Sequence, residues 1–289
     1  MNKIAFLTMD SLAGFVSYDG LVRDILSSRA IHVDEISWRA ENVEWNQYEL
    51  VVIRSPWDYQ SAWDQFMGVL SQIDASPARL ENCLSVARWN VEKTYLRDLR
   101  EQGISIVPTT WMMSPSVADL HELFDRFNSD DVVIKPIVGA NADDAFWLRH
   151  ETSAETFQIA SETFQGRMAL GQPFVRSVTG YGEISLIFFA GQYSHSVLKK
   201  PKAGDFRVQE EHGGRIQSVV PEASIIEFAH RTLQAVPGET LYARVDLVFL
   251  DDGQPAVMEV ELIEPSLYLS YDRQSPVRFA DAIEALLGR

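Results

Sequence analysis

The stretch from Tyr242 to Leu262 (Tyr-Ala-Arg-Val-Asp-Leu-Val-Phe-Leu-Asp-Asp-Gly-Gln-Pro-Ala-Val-Met-Glu-Val-Glu-Leu) constrains the chain more than any other. Two runs of β-branched and apolar residues flank Asp252-Gly253, a strong short-range hairpin signal. With Asp252 and Gly253 as a two-residue turn, Asp246 lies across from Glu259 and Arg244 across from Glu261. Glu259 and Glu261 are two apart, so their side chains leave the strand on one face. Three carboxylates and one arginine then share a patch whose neighbours, Val245, Leu247, Val257 and Val260 among them, are apolar.

Like charges opposed across a ladder are destabilising, and crowded carboxylates cannot all stay ionised unaided. A hard divalent cation resolves the conflict, because Mg²⁺ takes oxygen ligands and usually keeps water and substrate phosphates in its other positions. The plainer alternative is a solvated acidic strand face with Arg244 as counter-charge.

The formal net charge of −16 argues against a nucleic-acid partner, which would need a basic stripe. Cys83 is the only cysteine, so neither a disulfide nor a thiolate metal cluster can form within the chain. No stretch approaches the ~20 apolar residues of a membrane span, and Met1–Asp10 is too short an apolar run for a signal peptide. The expectation is a soluble cytoplasmic protein, compatible with a homo-oligomer.

Ile4–Thr8, Ile31–Trp38 and Glu49–Arg54 read as strands and Tyr18–Arg29 as a helix, an order that argues for an open α/β unit. Ligands collect beyond the carboxyl ends of such strands, where Arg54-Ser-Pro-Trp57-Asp58-Tyr stands. Arg54, Trp57 and Asp58 suit a small zwitterionic, amino-acid-like substrate, although the same phrase reads as a turn into a helix capped by Ser61 and Asp64.

Asn90 reads as an N-cap, with a stripe at Val91, Tyr95, Leu96 and Leu99 and a stop at Gly103. Lys93 then falls in the first turn, where the helix dipole disfavours a cation unless an anion sits above it. Asp131–Pro136 is a strand ending in Lys135, followed by the small-residue loop Gly139-Ala-Asn-Ala142, a combination that fits an approaching phosphate. Gln172-Pro-Phe174-Val175 is an extended segment whose backbone could hydrogen-bond a flat base. Glu183–Phe189 and Gln192–Leu198 supply further strands. Lys199-Lys-Pro-Lys202 with Asp205-Phe-Arg207 is the one concentrated basic stretch.

These motifs stand in an order that resembles the ATP-grasp ligases. They are Lys93 after Arg88-Trp-Asn, Lys135-Pro, the Gln172 hinge, Gly204-Asp-Phe-Arg207 with His212-Gly-Gly, Arg244-Val-Asp246 and Glu259-Val-Glu261. The chain is similar to the glutathione-synthetase-like branch. Arg54-Ser-Pro-Trp-Asp-Tyr59 and Glu259-Val-Glu-Leu-Ile-Glu-Pro-Ser-Leu-Tyr268 bring it near the group of the cycloserine-forming cyclo-ligase.

The resemblance implies an ATP-grasp fold of α/β class with α+β lobes, preceded by an open α/β domain. Residues 1–88 would form the substrate-side domain, 89–172 the first lobe, and 173–289 the second lobe with the metal-binding hairpin. Lys93 and Lys135 would bind ATP phosphates, the backbone of Gln172, Phe174 and Val175 the adenine, and Glu183 the ribose. Asp246, Glu259 and Glu261 would carry Mg²⁺, with Mn²⁺ as a substitute. Arg207 and Lys199 would be the catalytic cations and Arg244 would face substrate. Two departures stand out: Glu261 occupies a position that is often asparagine, and the glycine-rich phosphate loop is reduced to Gly139-Ala-Asn-Ala.

Together these readings point to an ATP- and Mg²⁺-dependent carboxylate–amine ligase acting on amino acids or small peptides through an acyl phosphate. A nucleotide-binding protein without ligase activity and a metal-dependent hydrolase are the alternatives.

Overall fold

The computed structural model describes residues 2–139, 143–202, 205, 207–208 and 213–287. Its first sheet is built from the apolar runs of the amino-terminal third. Strands β1 (Lys3–Thr8), β2 (His32–Ser37), β3 (Leu50–Ser55) and β4 (Arg79–Glu81) pair in parallel in the order β2-β1-β3-β4. β3 is buried at every position, so both its faces must be covered. Ile4, Phe6, Leu50 and Val52 pack against Val22 and Leu26 of helix Asp19–Ser28 and against Phe279 and Ile283 of the last helix. Ala5, Leu7, Val51 and Ile53 pack on the other face against Phe66, Leu70 and Ile73 of helix Trp63–Asp74.

The second sheet, in the order β5-β8-β6-β7, comprises β5 (Thr110–Met113), β6 (Asp131–Pro136), β7 (Phe146–Arg149) and β8 (Met168–Pro173), all antiparallel. In β6 the alternation is strict. Val132 and Ile134 face helices Val117–Phe127 and Ala154–Thr163, while Val133 and Lys135 face the opposite way.

The third sheet, also antiparallel, has the order β11-β10-β9-β12-β13, with β9 (Glu183–Phe189), β10 (Gln192–Lys200), β11 (Arg215–Val219), β12 (Tyr242–Phe249) and β13 (Pro255–Glu261). One face is largely apolar: Ile184, Leu186, Phe188, Val245 and Leu247 pack with Phe228 of helix Ala223–Gln234 and Leu96 of helix Tyr95–Glu101. The other face is split. Ile187, Phe189, Val197 and Tyr242 join the core of the first sheet, and the remaining half carries Glu183, Ser185, Lys199, Arg244 and Asp246. That polar half is the floor of the site.

The hairpin pairs Asp246 with Glu259 and Arg244 with Glu261, as the sequence predicts, but by another route. The turn is one residue longer than expected: Phe249 pairs with Pro255, the Leu250 amide donates to the Gln254 carbonyl, and Gly253 takes φ +77°. This is a three-residue loop with glycine in the left-handed position. A bulge at Met258, between the pairs Asp246–Glu259 and Leu247–Val257, then restores the register. The two irregularities cancel at the carboxylates.

Three local expectations are corrected. Ser61 does not cap the following helix; its hydroxyl donates to the Asp58 carbonyl, and Ala62 precedes the helix with no side-chain cap. Asn90 is not an N-cap. It ends helix Leu84–Asn90, its Nδ2 donating to the Val260 carbonyl and its Oδ1 accepting from the Leu262 amide. Those bonds satisfy backbone at the free edge of β13, which outweighs starting a helix. Lys93 accordingly lies in the break before helix Tyr95–Glu101. Ala140, Asn141, Ala142, Gly204, Phe206 and His212, all singled out in the sequence, lie outside the described residues. Among the described residues no helix is long and apolar enough to cross a membrane.

His195 on β10 is 6% exposed, and its Nε2–H donates to the Leu267 carbonyl at 3.0 Å. Burial pushes its pKa down to about 4, so the folded protein holds it neutral. Because the unfolded chain binds a proton near pH 6.5, this contribution is complete above that pH and is lost as pH falls toward 4. Unfolding titrations at pH 7 and pH 5 should show the wild type losing about 2 kcal/mol more than His195→Gln.

Candidate active site

The polar half of the third sheet, the inner face of β6 and β8, and the Tyr59 and Asn90 segments enclose one cavity. It is lined by Lys93, Lys135, Gln172, Phe174, Val175, Glu183, Lys199, Arg207, Arg244, Asp246, Glu259 and Glu261, together with Tyr59 and Glu264. Residues read from the sequence as phosphate-, base-, metal- and acyl-facing are therefore gathered on one surface.

The floor is a charge lattice. Lys199, 2% exposed, sits 2.5 Å from Glu183 and 3.1 Å from Asp246. The guanidinium of Arg244 bonds both oxygens of Asp246 and reaches Glu261. Asp246 also accepts from Ser185 Oγ at 2.5 Å. Burial works against the Asp246 carboxylate, but Arg244 and Lys199 outweigh it and hold its pKa well below the usual range. Burial likewise opposes the Lys199 ammonium, and Asp246 and Glu183 overcome it and raise its pKa far above normal.

Backbone geometry makes this approach feasible. Gly182, just before Glu183, has φ +114°, and a Cβ there would stand 2.7 Å from the Lys199 carbonyl. Any other residue would push β9 and β10 apart at the Glu183–Lys199 pair.

On the opposite edge Glu259 meets Lys93 Nζ at 2.8 Å, and Lys93 also donates to the Gly139 carbonyl at 2.7 Å. Burial raises the Glu259 pKa, but Lys93 and Lys135 outweigh it and hold it below normal. Glu261 is pushed the other way, up to about 8, by burial and the surrounding carboxylates against the pull of Arg244.

Lys135 is the odd member. Among the described residues it makes no ion pair, and its Nζ lies 3.9 Å from Met258 Sδ. Burial pushes its pKa down. The ammonium is half-buried, with the Glu259 carboxylate favouring its charge and Lys93 opposing it.

The wall from Gln172 to Val175 carries one ring, Phe174. Phe174 stacks on Trp147 with centroids 4.4 Å apart, and the Arg149 guanidinium lies 3.9 Å over Trp147. The Gln172 side chain is spent on Thr109 Oγ1, and the Phe174 amide donates to the Asp131 carbonyl. Arg207 borders the cavity while paired with Asp205 at 2.8 Å.

Arg54, Trp57 and Asp58, expected to face substrate, do not line this cavity and are held by other groups of the chain. Arg54 is 2% exposed and bonds Asp19 at 2.9 Å. A buried guanidinium needs an acid, and Asp19 lies on a helix that nothing local links to it. Asp58 is taken up by Trp38 Nε1 and Arg39. Trp57 and Arg54 instead serve the segment after β13. Four consecutive carbonyls each receive a side-chain donor, Glu264 from Trp57, Pro265 from Arg54, Ser266 from Arg244 and Leu267 from His195, and the Ile263 carbonyl before them shares the Tyr242 hydroxyl with the Ile53 carbonyl. The sequence reading missed Tyr59 and Glu264 as lining residues. The repeat of glutamate in Glu259-Val-Glu-Leu-Ile-Glu264 is the one signal that could have found the second.

The donors available to a cation are all hard oxygens, at Asp246, Glu259 and Glu261. Among the described residues no three acidic, histidine or cysteine groups already converge at ligating distance. Each carboxylate turns instead to a basic side chain, so the donor set fits Mg²⁺ in chemistry, and Lys93 and Arg244 would have to yield to it.

Comparison with known proteins agrees with this arrangement. Residues 4–82 match the family model of the D-cycloserine synthetase DcsG N-terminal domain. The cycloserine biosynthesis protein DcsG of Streptomyces lavendulae is 31% identical over 268 residues, 88% of either chain. The crystal structure of D-cycloserine synthetase DcsG superposes with a TM-score of 0.87 at 28% identity, covering 99% of this chain and 100% of that one. At the level of fold alone, two further structures align. The ATP-grasp ligase PsnB, complexed with a phosphomimetic variant of its minimal precursor, Mg and ADP, gives a TM-score of 0.68 at 15% identity over 98% of both chains. D-alanine–D-alanine ligase of Bacillus anthracis, complexed with ATP, gives 0.66 at 14% identity over 100% and 97%. With an open parallel sheet feeding two antiparallel sheets that close over one charged cavity, the chain belongs to the DcsG family and has the ATP-grasp fold.

Proposed function

We propose that this ATP-dependent ligase activates the carboxylate of an amino-acid substrate as an acyl phosphate and joins it to an amine-type nitrogen. The observation that carries the reading is Lys135, a half-buried ammonium with no ion pair among the described residues, set beside Lys93 and facing the acidic edge of β12 and β13. Two lysines against three carboxylates form a seat for a polyphosphate whose charge is shared with a cation.

Lys93 and Lys135 bind the phosphates, and the wall from Gln172 to Val175 holds the base. Mg²⁺, which Asp246, Glu259 and Glu261 would hold, neutralises phosphate charge when bound. The substrate carboxylate oxygen attacks the γ-phosphorus in line, the bond to the β-phosphate oxygen breaks, and ADP leaves. The nitrogen nucleophile then adds to the acyl carbon. Arg207 offsets the oxyanion, and phosphate departs with its bridging oxygen as the amide forms. Lys199, locked between Glu183 and Asp246, keeps the floor rigid.

D-Cycloserine, named for the DcsG relatives, is itself a cyclic amide of an amino acid, so its ring-opened acid, O-amino-D-serine, is the first substrate to test. Phosphate release is expected when ATP, Mg²⁺ and this acid, or paired amino acids, are supplied together. Lys135→Ala should lower that rate by about 100-fold without loss of fold. An unaltered rate in the variant removes Lys135 from the site. ATP binding with no stimulated release by any amino acid leaves the nucleotide-binding alternative, and hydrolysis without ATP leaves the other.

A further inference from the structure

Lys135 has a counterpart of opposite sign. Glu264 lines the cavity three residues beyond Glu261, and among the described residues it forms no ion pair. Tyr59, from the first domain, hydrogen-bonds its carboxylate. The nearest cation acting on it, Lys93, is committed to Glu259 and to the Gly139 carbonyl. Once Lys93 turns to a phosphate, Glu264 faces the cavity with no positive charge of its own.

The backbone carrying it is unusually constrained. The Glu264 carbonyl accepts from Trp57 Nε1 at 2.8 Å and the Pro265 carbonyl from Arg54 Nη2 at 3.4 Å, while the Ile263 carbonyl shares the Tyr242 hydroxyl, 2.8 Å away, with the Ile53 carbonyl. Donors from β3, β12 and the turn after β3 thus hold one carboxylate in one direction. Such preorganisation is what a recognition group needs, because the cost of ordering it is met on folding. A carboxylate so held, with a phenol on one oxygen and open cavity before it, is matched by a compact donor bearing several N–H bonds and a positive charge.

We propose that Glu264, braced by Tyr59, binds the ammonium group of the amino-acid substrate, and that Arg54 and Trp57 act as positioning residues for it. The inference rests on the ligase reading above and deepens it. The phrase Arg54-Ser-Pro-Trp57 is linked to substrate after all, through the Glu264 backbone and at no direct contact. Burial, which pushes the Glu264 carboxyl up to about 7, is the same penalty that a bound ammonium relieves.

The test is calorimetric binding of D-cycloserine and of its deaminated analogue isoxazolidin-3-one, in the presence of ADP and Mg²⁺. It uses the wild type, Glu264→Gln and Glu264→Asp, with the Kd for ATP measured alongside. The wild type should prefer the amine-bearing ligand by about 100-fold. Glu264→Gln should narrow the preference to below about 5-fold, Glu264→Asp should recover part of it, and the Kd for ATP should stay within about twofold. A merely structural glutamate would weaken both ligands equally. Equal weakening, a preference kept in Glu264→Gln, a loss of ATP affinity in its place, or no preference in a wild type that does release ADP overturns this inference alone. A wild type that releases no ADP with any amino acid overturns the ligase reading and this inference together.

Discussion

Glu259→Ala is expected to reduce ADP formation by about 10³-fold while the protein remains folded. Glu259 is the carboxylate at which the hairpin meets the segment before helix Tyr95–Glu101: it lies across from Asp246 and 2.8 Å from Lys93. Its loss removes one oxygen donor from the proposed cation seat and leaves Lys93 hydrogen-bonded to the Gly139 carbonyl without its ion-pair partner. Both effects act on the phosphate end of the nucleotide and neither on the base, so ATP affinity should fall less than turnover. Raising Mg²⁺ should restore part of the rate, because a weakened seat is filled by mass action. A coupled ADP assay across a Mg²⁺ series checks this. Wild-type turnover at low Mg²⁺ in the variant would detach Glu259 from the chemistry.

The largest effect on stability is expected at Lys199→Met, about 3–5 kcal/mol at pH 7, read by denaturant titration. Methionine fills much of the volume, but Glu183 and Asp246 would then be buried without the cation that lies between them. The sign of the pH dependence follows from Glu183, whose pKa burial already raises above its ordinary value. A carboxyl raised in the fold takes up protons there before the unfolded chain does. Lowering the pH below that folded value therefore relieves the variant, and its deficit should shrink toward pH 5. A purely catalytic lysine, as the basic cluster in the sequence suggests, would lose rate on replacement and leave the unfolding midpoint unchanged.

The hairpin carboxylates were legible because their arrangement is local. Residues opposed across a β-turn differ by fewer than twenty positions, and period-two alternation assigns the face. Even so, a longer turn and the Met258 bulge had to cancel for the predicted register to hold, and neither irregularity has a distinct pattern in the residues. Lys93 was legible as an oddly placed cation, although the helix expected to begin at Asn90 in fact ends there. Asn90 shows why: its side chain satisfies β13 backbone some 170 residues away, and no local propensity reports such a partner.

By itself, then, the amino-acid sequence determined which segments become strands, which charged residues stand at their ends, and the family to which their order belongs. These follow from short-range sterics and from the alternation of apolar side chains. Only the tertiary structure decided that Arg54 is bound to Asp19, that Lys199 is locked in the floor, and that Lys135 and Glu264 line the cavity with no ion pair among the described residues. Whether a buried charge is neutralised depends on groups brought in from distant parts of the chain. The cost of leaving it alone, which makes it a binding group, exists only once the cavity has closed around it.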